Sequence, residues 1–373
     1  MPAVLQLQSA NRIVTTRRAS ELLGAKPGRS TIRTMLAICT AVIVAAALYF
    51  ARSIFAPFAF ALFMMAIVWP VQSTLQKKLP QFVALFLTLI ATVLVIIGFG
   101  VIVAWAVSVV AEWMISHAPR FQELYSEWAH WLEEHDILII GRLSEHFDAA
   151  WMVRMLQTVA GHVNKTVGFA LLVFVFMMLA LLEAGDLQQK LISLGDRREF
   201  RKLSQAGAEI AVKFRKYMLM RTLVSALTGV AVWGFALVTG LELAVAWGII
   251  AFALNYIPFI GPFVATILPG LFALAQFDSW QSVALVFVGL TLIQFLIGNY
   301  LEPRMTGATL DISPLAVIFA VFFWSFLWGI PGALIGVPIT IAILTVCEHS
   351  DSTRWIAMLL SGTPSPPSRP TNN

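Results

Sequence analysis

The sequence predicts an all-α, polytopic helical membrane protein with six to eight transmembrane spans, and three observations support this prediction. Of its 373 residues, 59% are hydrophobic and only 12% are charged, whereas soluble domains carry about 25% charged residues. The apolar residues form continuous runs, many near the roughly 20 residues that a helix needs to cross a bilayer. The charges cluster between these runs. Too little charge remains to solvate a globular surface, and the runs lack the alternation of an outer-membrane β-barrel.

The chain divides into a basic N-terminal segment over 1–33, a transmembrane domain over 34–348 and a tail over 349–373. Six basic residues against one acid in 1–34 place the N-terminus in the cytoplasm by the positive-inside rule. Because these residues are polar and basic, the first span is expected to be an uncleaved anchor. The tail is expected to be cytoplasmic and partly disordered. The predicted spans are 34–51, 53–70, 82–111, 160–182, 218–240, 243–275, 280–298 and 311–347.

Two charged segments between the spans agree with this orientation. The segment 112–160 is acidic and is expected outside, and its aromatic residues recur at helical spacing, which predicts an amphipathic helix at the headgroup level. The segment 183–216 is basic and is expected inside. Both termini are therefore expected in the cytoplasm of a bacterial cell.

Two of the spans are interrupted by proline and glycine. A proline removes a backbone donor and clashes with the preceding turn, so neither run forms one straight helix. Irregular backbone at membrane depth survives only where it is buried in protein or lines a water-filled cavity. Each unit is therefore predicted as helix, break, helix. The candidate residues are Asn255, Tyr256, Pro258, Gly261 and Pro262 in the first unit, and Pro331, Gly332 and Pro338 in the second.

The path of these two units is left open by the sequence. If both re-enter, they form an inverted pair that starts from opposite sides; if both cross twice, the termini stay cytoplasmic all the same. The breaks could also be plain turns between ordinary spans. Since paired broken segments are the best sequence indicator of a transporter's substrate site, 241–347 is the candidate translocating half.

Polar residues cluster beside the breaks, at Gln294, Asn299, Glu302 and Arg304. A charge at the bilayer centre costs roughly 2.5–3.5 kcal/mol, so such residues tend to be functional. The alternatives are that Glu302 and Arg304 are two interfacial charges at the end of a span and that Gln294 bonds a neighbouring helix. The breaks also add chemistry, because freed carbonyls accept hydrogen bonds and half-helix N-termini attract anions.

Three runs resemble signatures of the autoinducer-2 exporter family, also called predicted permeases. They are NYIPFIGP at 255–262, NYLEPRMTG at 299–307 with SPL at 313–315, and WGIPGALIGVP at 328–338. The resemblance covers about 35–348 and implies a bacterial inner-membrane exporter that forms a homo-oligomer, a pentamer with an elevator-like moving part. Two positions depart from the family: Gly298 stands where an acid is frequent, and Glu302 where an amide is frequent.

Several functions are compatible with these features. The first is a secondary exporter of a small polar solute such as an autoinducer-2-like signal. The second is a sodium or lithium/proton antiporter, which needs a buried carboxylate, with Glu302 the candidate and Asp311 a weaker one. A structural membrane protein without transport is a further alternative, and an integral-membrane enzyme is disfavoured because the spans lack clustered His, Asp and Glu.

The energy source and the partners follow from what the sequence contains. It has no P-loop, so transport is expected to draw on a gradient or on the solute's own concentration. The expected partners are the lipid bilayer and a small polar solute or monovalent cation. No catalytic residue, metal, cofactor or nucleic acid is expected.

Overall fold

The computed structural model describes residues 29–134, 163–193, 198–306, 312–349 and 353–362, and its regular elements in these ranges are helices. The predicted all-α fold is therefore confirmed. The chain divides into two compact units, Met1–Arg52 and Ser53–Asn373. The helices are α1 (Arg29–Phe50), α2 (Arg52–Gln76), α3 (Gln81–Ser116), α4 (Ala118–Glu134), α5 (Val163–Ser193), α6 (Arg198–Thr239), α7 (Ala244–Leu254), α8 (Ile260–Gln276), α9 (Trp280–Leu296), α10 (Glu302–Thr306), α11 (Pro314–Trp328), α12 (Ile330–His349) and α13 (Arg354–Leu360).

Six helices in the described ranges are long and apolar enough to cross a membrane. They expose large apolar side chains, such as Val95 on α3 at 71% and Leu171 on α5 at 62%. Contiguous apolar surface of this kind is unfavourable in water and suits a lipid environment. The chain is thus a multi-pass membrane protein, as predicted. The six candidate spans are Arg52–Gln76, Gln81–Ser116, Val167–Ala184, Ser204–Thr239, Trp280–Met305 and Ile330–His349.

The helix α6 is much longer than the predicted span 218–240, because it begins at Arg198 and runs for 42 residues. The preceding basic stretch therefore continues directly into the span. Its Lys, Arg and Glu residues are good helix formers, and Lys213 pairs with Glu209 one turn before it at 2.8 Å. The result is a continuous rod against which both interrupted units pack.

The first interrupted unit is a hairpin of α7 and α8 whose two ends meet. The Gln276 side chain donates to the Gly240 carbonyl at 2.8 Å and accepts from the Glu242 amide at 2.9 Å, which joins the end of α8 to the start of α7. With 11 residues, α7 is about 16 Å long, about half of the roughly 30 Å hydrocarbon core. A core around Trp247 and Phe272, both at most 1% exposed, holds the two helices together.

The second interrupted unit, α11 and α12, has a narrower break than the sequence suggested. The chain turns at Gly329, whose φ of +68° is accessible to glycine. Pro331, Gly332 and Pro338 all lie inside α12 rather than in a break. Pro331 occupies the first turn of α12, where a missing N–H leaves no helical bond unmade.

The two hairpins open toward opposite ends of α6. The first has its ends at Gly240 and Glu242, just after α6. In the second, the Ser313 amide at the start of α11 donates to the Leu360 carbonyl at 2.9 Å, beyond the end of α12. Near that end, Thr345 accepts from Lys213 Nζ at 3.0 Å. Gly240 and Lys213 are about 40 Å apart along α6, so the two hairpins open at opposite levels of the molecule, as both the re-entrant and the twice-crossing path require. We call the level of Gly240 and Glu242 the Trp113 end, and the level of Lys213 and Thr345 the Lys213 end.

At the Trp113 end, Trp113 near the C-terminus of α3 contacts the first hairpin. Trp113 Nε1 donates to Glu242 Oε2 at 2.5 Å, and the Trp113 ring lies 3.8 Å from that of Phe272. Arg120 on α4 pairs with Asp278 at 2.8 Å. The helix α4 lies within the predicted amphipathic segment 112–160, and the part of that segment after α4, 135–160, lies outside the described residues.

Candidate functional site

A cavity of about 770 Å³ lies where α6, the tip of the first hairpin, the end of α9 and the start of α11 converge. Its walls are mostly apolar and aromatic, with a few polar side chains among them, which is typical of a small-molecule site. It is lined by Tyr217, Arg221, Pro258, Phe259, Pro262, Phe263, Thr266, Ile267, Phe287, Thr291, Gln294, Phe295, Gly298, Asn299, Glu302, Pro303, Ile312, Pro314, Val317 and Val337.

The tip of the first hairpin is anchored to α6 by two side chains. Buried Asn255 donates from Nδ2 to Ser225 Oγ at 3.2 Å, and Tyr256 donates from its hydroxyl to Thr222 Oγ1 at 3.0 Å. Ser225 lies about 22 Å along α6 from Gly240, so the tip packs against the apolar part of α6 rather than against its end. These bonds satisfy polar groups that would be costly to leave unpaired there.

Phe259, at the same tip, has a φ of +63°, which a non-glycine residue rarely adopts. Such backbone costs about 1–3 kcal/mol and persists where the surrounding structure fixes it, often at functional sites. Here it directs the chain from the break into α8 and presents a half-exposed ring to the cavity. The neighbouring Pro258 and Pro262 line the cavity as well.

An ion pair joins the two walls of the cavity. Arg221 Nη1 on α6 donates to Glu302 Oε1 at 2.6 Å, and the side chain of Arg221 is 5% exposed against 35% for Glu302. Glu302 follows a π-helical turn, Ile297–Leu301, in which the Glu302 amide bonds the Ile297 carbonyl. Since Pro303 has no N–H to donate, the regular α-helical pattern cannot continue through it. The π turn rotates the helix locally, as such turns often do at functional sites.

Three polar atoms at the cavity are buried without a hydrogen-bond partner in the described part of the chain. They are Arg221 Nε, the Tyr217 hydroxyl and Gln294 Nε2. Buried polar groups are nearly always paired in folded proteins, and each exception calls for an explanation. All three belong to residues that line one cavity, although the atoms themselves have almost no accessible surface.

The residues singled out from the sequence divide into two groups. Five line the cavity: Pro258, Pro262, Gln294, Asn299 and Glu302. The other seven lie outside its lining, and several have clear structural roles there. They are Asn255, Tyr256, Gly261, Arg304, Pro331, Gly332 and Pro338.

Among this second group, Arg304 does not pair with Glu302, because its guanidinium lies 3.8 Å from the centre of the Tyr300 ring. Gly261 and Gly332 allow close packing instead of lining the site. A Cβ would meet the Leu254 carbonyl at Gly261 and the Trp324 carbonyl at Gly332.

Sequence reasoning missed the contribution of α6. Tyr217 and Arg221 stand at the end of a basic stretch and look like ordinary interfacial residues. The available signal was their spacing of four residues, which puts both on one face of a helix that is already entering an apolar span. The partner of Arg221 lies 81 residues further along the chain, and only tertiary packing identifies it.

The family model for AI-2E family transporters matches residues 38–351 of this chain. The AI-2 transport protein TqsA of Escherichia coli K12 is 27% identical and covers 86% of this chain and 93% of its own length. A putative transport protein of Haemophilus influenzae is 28% identical and covers 88% and 96%. A putative transport protein of Borreliella burgdorferi is 34% identical and covers 53% and 56%.

Proposed function

The chain belongs to the AI-2E transporter family, and from this premise we propose that it is a secondary exporter of a small polar solute such as an autoinducer-2-like signal. Its relative in E. coli is named for AI-2 transport. The structure of this chain supports the proposal through the cavity between α6, the first hairpin and α9. The two inverted hairpins provide what alternating access needs, two interrupted elements packed beside one site.

The cavity is the observation that carries this proposal. Its volume of about 770 Å³ is within the range of small-molecule sites. Most of its wall is apolar, while Thr291, Gln294 and Asn299 supply polar side chains for a solute. The charge bias of the segments 1–34 and 183–216 supports a cytoplasmic Lys213 end and insertion in a bacterial inner membrane. We further propose a homo-oligomeric assembly without enzymatic activity.

A sodium or lithium/proton antiporter is the second candidate, and Glu302 is the observation that favours it. Its carboxylate lines the cavity, as an ion-coupling group would. However, Arg221 already occupies one carboxylate oxygen at 2.6 Å, so a cation would have to displace a buried guanidinium. Gly298, where the family frequently has an acid, lines the cavity beside open space and supplies no charge.

Flux in proteoliposomes separates the two candidates. Vesicles loaded with AI-2 and reconstituted with the purified protein are expected to release it faster than protein-free vesicles. An imposed sodium gradient is expected to leave the internal pH unchanged. Sodium-driven proton movement that disappears in Glu302→Gln, together with no AI-2 release, would establish the antiporter instead. Pro258→Ala, at the hairpin tip, is expected to slow AI-2 release.

A further inference from the structure

The outer face of α13 carries three large apolar side chains. Trp355, Met358 and Leu359 are 60%, 50% and 73% exposed, and their spacing of three and four residues places them on one side of the helix. Ala357, on the opposite side, is buried, and there the helix packs against α12. The helix therefore has apolar residues both on the side that faces the protein and on the side that faces away from it.

Hydrogen bonds at both ends hold α13 across the open end of the second hairpin. Just before the helix begins, the Thr353 hydroxyl donates to the Cys347 carbonyl of α12 at 3.3 Å. At its last residue, the Leu360 carbonyl accepts from the Ser313 amide at the start of α11 at 2.9 Å. The position of α13 is therefore set by both helices of the hairpin.

This position lies at the membrane boundary of the Lys213 end. The helix α12 is a candidate span of 20 residues, about 30 Å long, which matches the hydrocarbon core. It ends at His349, and α13 begins shortly afterwards at Arg354. On α11, Leu315 and Phe319 are 77% and 66% exposed. Because Leu315 follows Ser313 by two residues, α13 ends beside this exposed apolar surface.

We propose that α13 binds the lipid bilayer at the Lys213 end and inserts Trp355, Met358 and Leu359 between the headgroups and the acyl chains. Three large apolar side chains on one side of a helix of seven residues are unfavourable in water, and a helix that lies in the membrane interface buries such a face. Tryptophan is enriched at this level of membrane proteins. The exposed Arg354 beside it has a long side chain whose charge can stay among the headgroups.

A bound α13 would hold the start of α11 at the membrane surface. Ile312 and Pro314, on either side of Ser313, line the cavity. The helix therefore connects the lipid surface to one wall of the cavity. All residues of α13 are described and none of them lines the cavity, so the inference does not depend on which solute is carried.

Quenching of a fluorophore by spin-labelled lipids tests the inference. In proteoliposomes made with the chain lacking its two native cysteines, an NBD group is attached to Leu359→Cys or, separately, to Trp355→Cys. Leu315→Cys on α11 is the lipid-facing reference. Ser204→Cys, exposed in the basic stretch of α6 and about 14 Å beyond Lys213, is the aqueous control.

We expect a lipid with its spin label near the headgroup to quench both α13 positions several-fold more than it quenches the aqueous control. A lipid with its spin label at the end of the acyl chain should quench them less, because an interfacial helix lies at the boundary of the acyl layer. Both labelled side chains are exposed, so neither substitution disturbs the packing of α13 against α12, and either position alone decides the test.

Two results would overturn the inference. Emission typical of water at both α13 positions, with no more quenching than at Ser204, would show that this face of the helix lies in the aqueous phase. Blue-shifted emission that neither spin-labelled lipid quenches, although both act on the Leu315 reference, would show that protein covers the face, as a second copy of the chain would.

Discussion

Arg221 and Glu302 are the residues on which the account of the cavity depends most. Burying an ion pair gains little stability, because the desolvation of two charges offsets their attraction, but removing one partner is costly. Such a pair is better suited to fixing the relative position of two helices than to raising the stability of the fold. Here it fixes the π turn that ends α9 against α6, across the cavity.

Replacing Arg221 by Met is expected to lower the thermal stability of the detergent-solubilised protein, because Glu302 would lose its partner. We expect a loss of about 2 kcal/mol, below the usual cost for a buried pair because the side chain of Glu302 is one third exposed. The double change Arg221→Met with Glu302→Leu should recover most of this loss. Thermal melting of Arg221→Met, Glu302→Leu and the double variant measures it, with Arg354→Met, an exposed arginine, as the control. A double variant as unstable as the sum of its parts would contradict the pairing.

The sequence predicted some of the residues that line the cavity but missed Arg221. Glu302, Gln294 and Pro258 stand out because charge, amide and proline are unusual inside apolar runs, and all three line the cavity. Arg221 does not stand out, because it follows a run of other basic residues. Its burial results from the packing of α6 against the end of α9, which no local pattern reports.

The two hairpins are the elements that shape the site, and each depends on one glycine at its narrowest point. At Gly261 and Gly332 the two antiparallel helices approach so closely that a Cβ would overlap a backbone carbonyl of the facing helix, Leu254 or Trp324. Backbone on both sides leaves no flexible atom that could move aside. Close approach of this kind is the usual role of small residues between membrane helices.

Gly261→Ala and Gly332→Ala are each expected to destabilise the protein and to reduce the yield of folded material, because the added methyl group collides with a carbonyl. The cost should exceed about 2 kcal/mol, within the range of overpacked cores. Gly98→Ala on α3 is the matched control, since nothing lies within 4 Å of its added Cβ. Size-exclusion profiles and melting curves provide the measurement. Alanine variants at 261 and 332 as stable as the control would contradict the packing described here.

The sequence predicted that both hairpins exist but not where each one turns. Long apolar runs with proline and glycine predict helix, break, helix, and the structure has this pattern twice. In the second unit, however, Pro331 and Gly332 resemble part of the break although they begin α12. A helix tolerates proline in its first turn and glycine at a close helix contact. Because turns are also rich in proline and glycine, the sequence alone does not distinguish the two cases.

At the scale of the whole molecule, the long helix α6 relates the two hairpins to each other. One hairpin is tied to the Trp113 end through Gln276, and the other to the Lys213 end through Thr345 and Glu348. The two hairpins open at opposite levels, and residues of both line the cavity together with residues of α6 and α9.

This arrangement predicts opposite sidedness for the two ends. In a chain with Cys39 and Cys347 replaced by alanine, Asp278→Cys at the Trp113 end should react with a membrane-impermeant maleimide in intact cells. Arg354→Cys on α13 should react only after permeabilisation, because the positive-inside rule places the Lys213 end in the cytoplasm. Labelling of both positions from the same side would contradict the opposite placement of the two ends.

The central claim is that solute passes through the cavity between α6, the first hairpin and α9, and blocking that cavity tests it most directly. Thr291→Cys lines the cavity, whereas Leu292→Cys, the next residue on α9, is 53% exposed and lies outside the lining. In proteoliposomes made with the chain lacking its native cysteines, a thiol-reactive reagent should stop AI-2 efflux through Thr291→Cys, and AI-2 should slow the modification. Efflux through Leu292→Cys should continue after the same treatment. Undiminished efflux through fully modified Thr291→Cys would contradict the account.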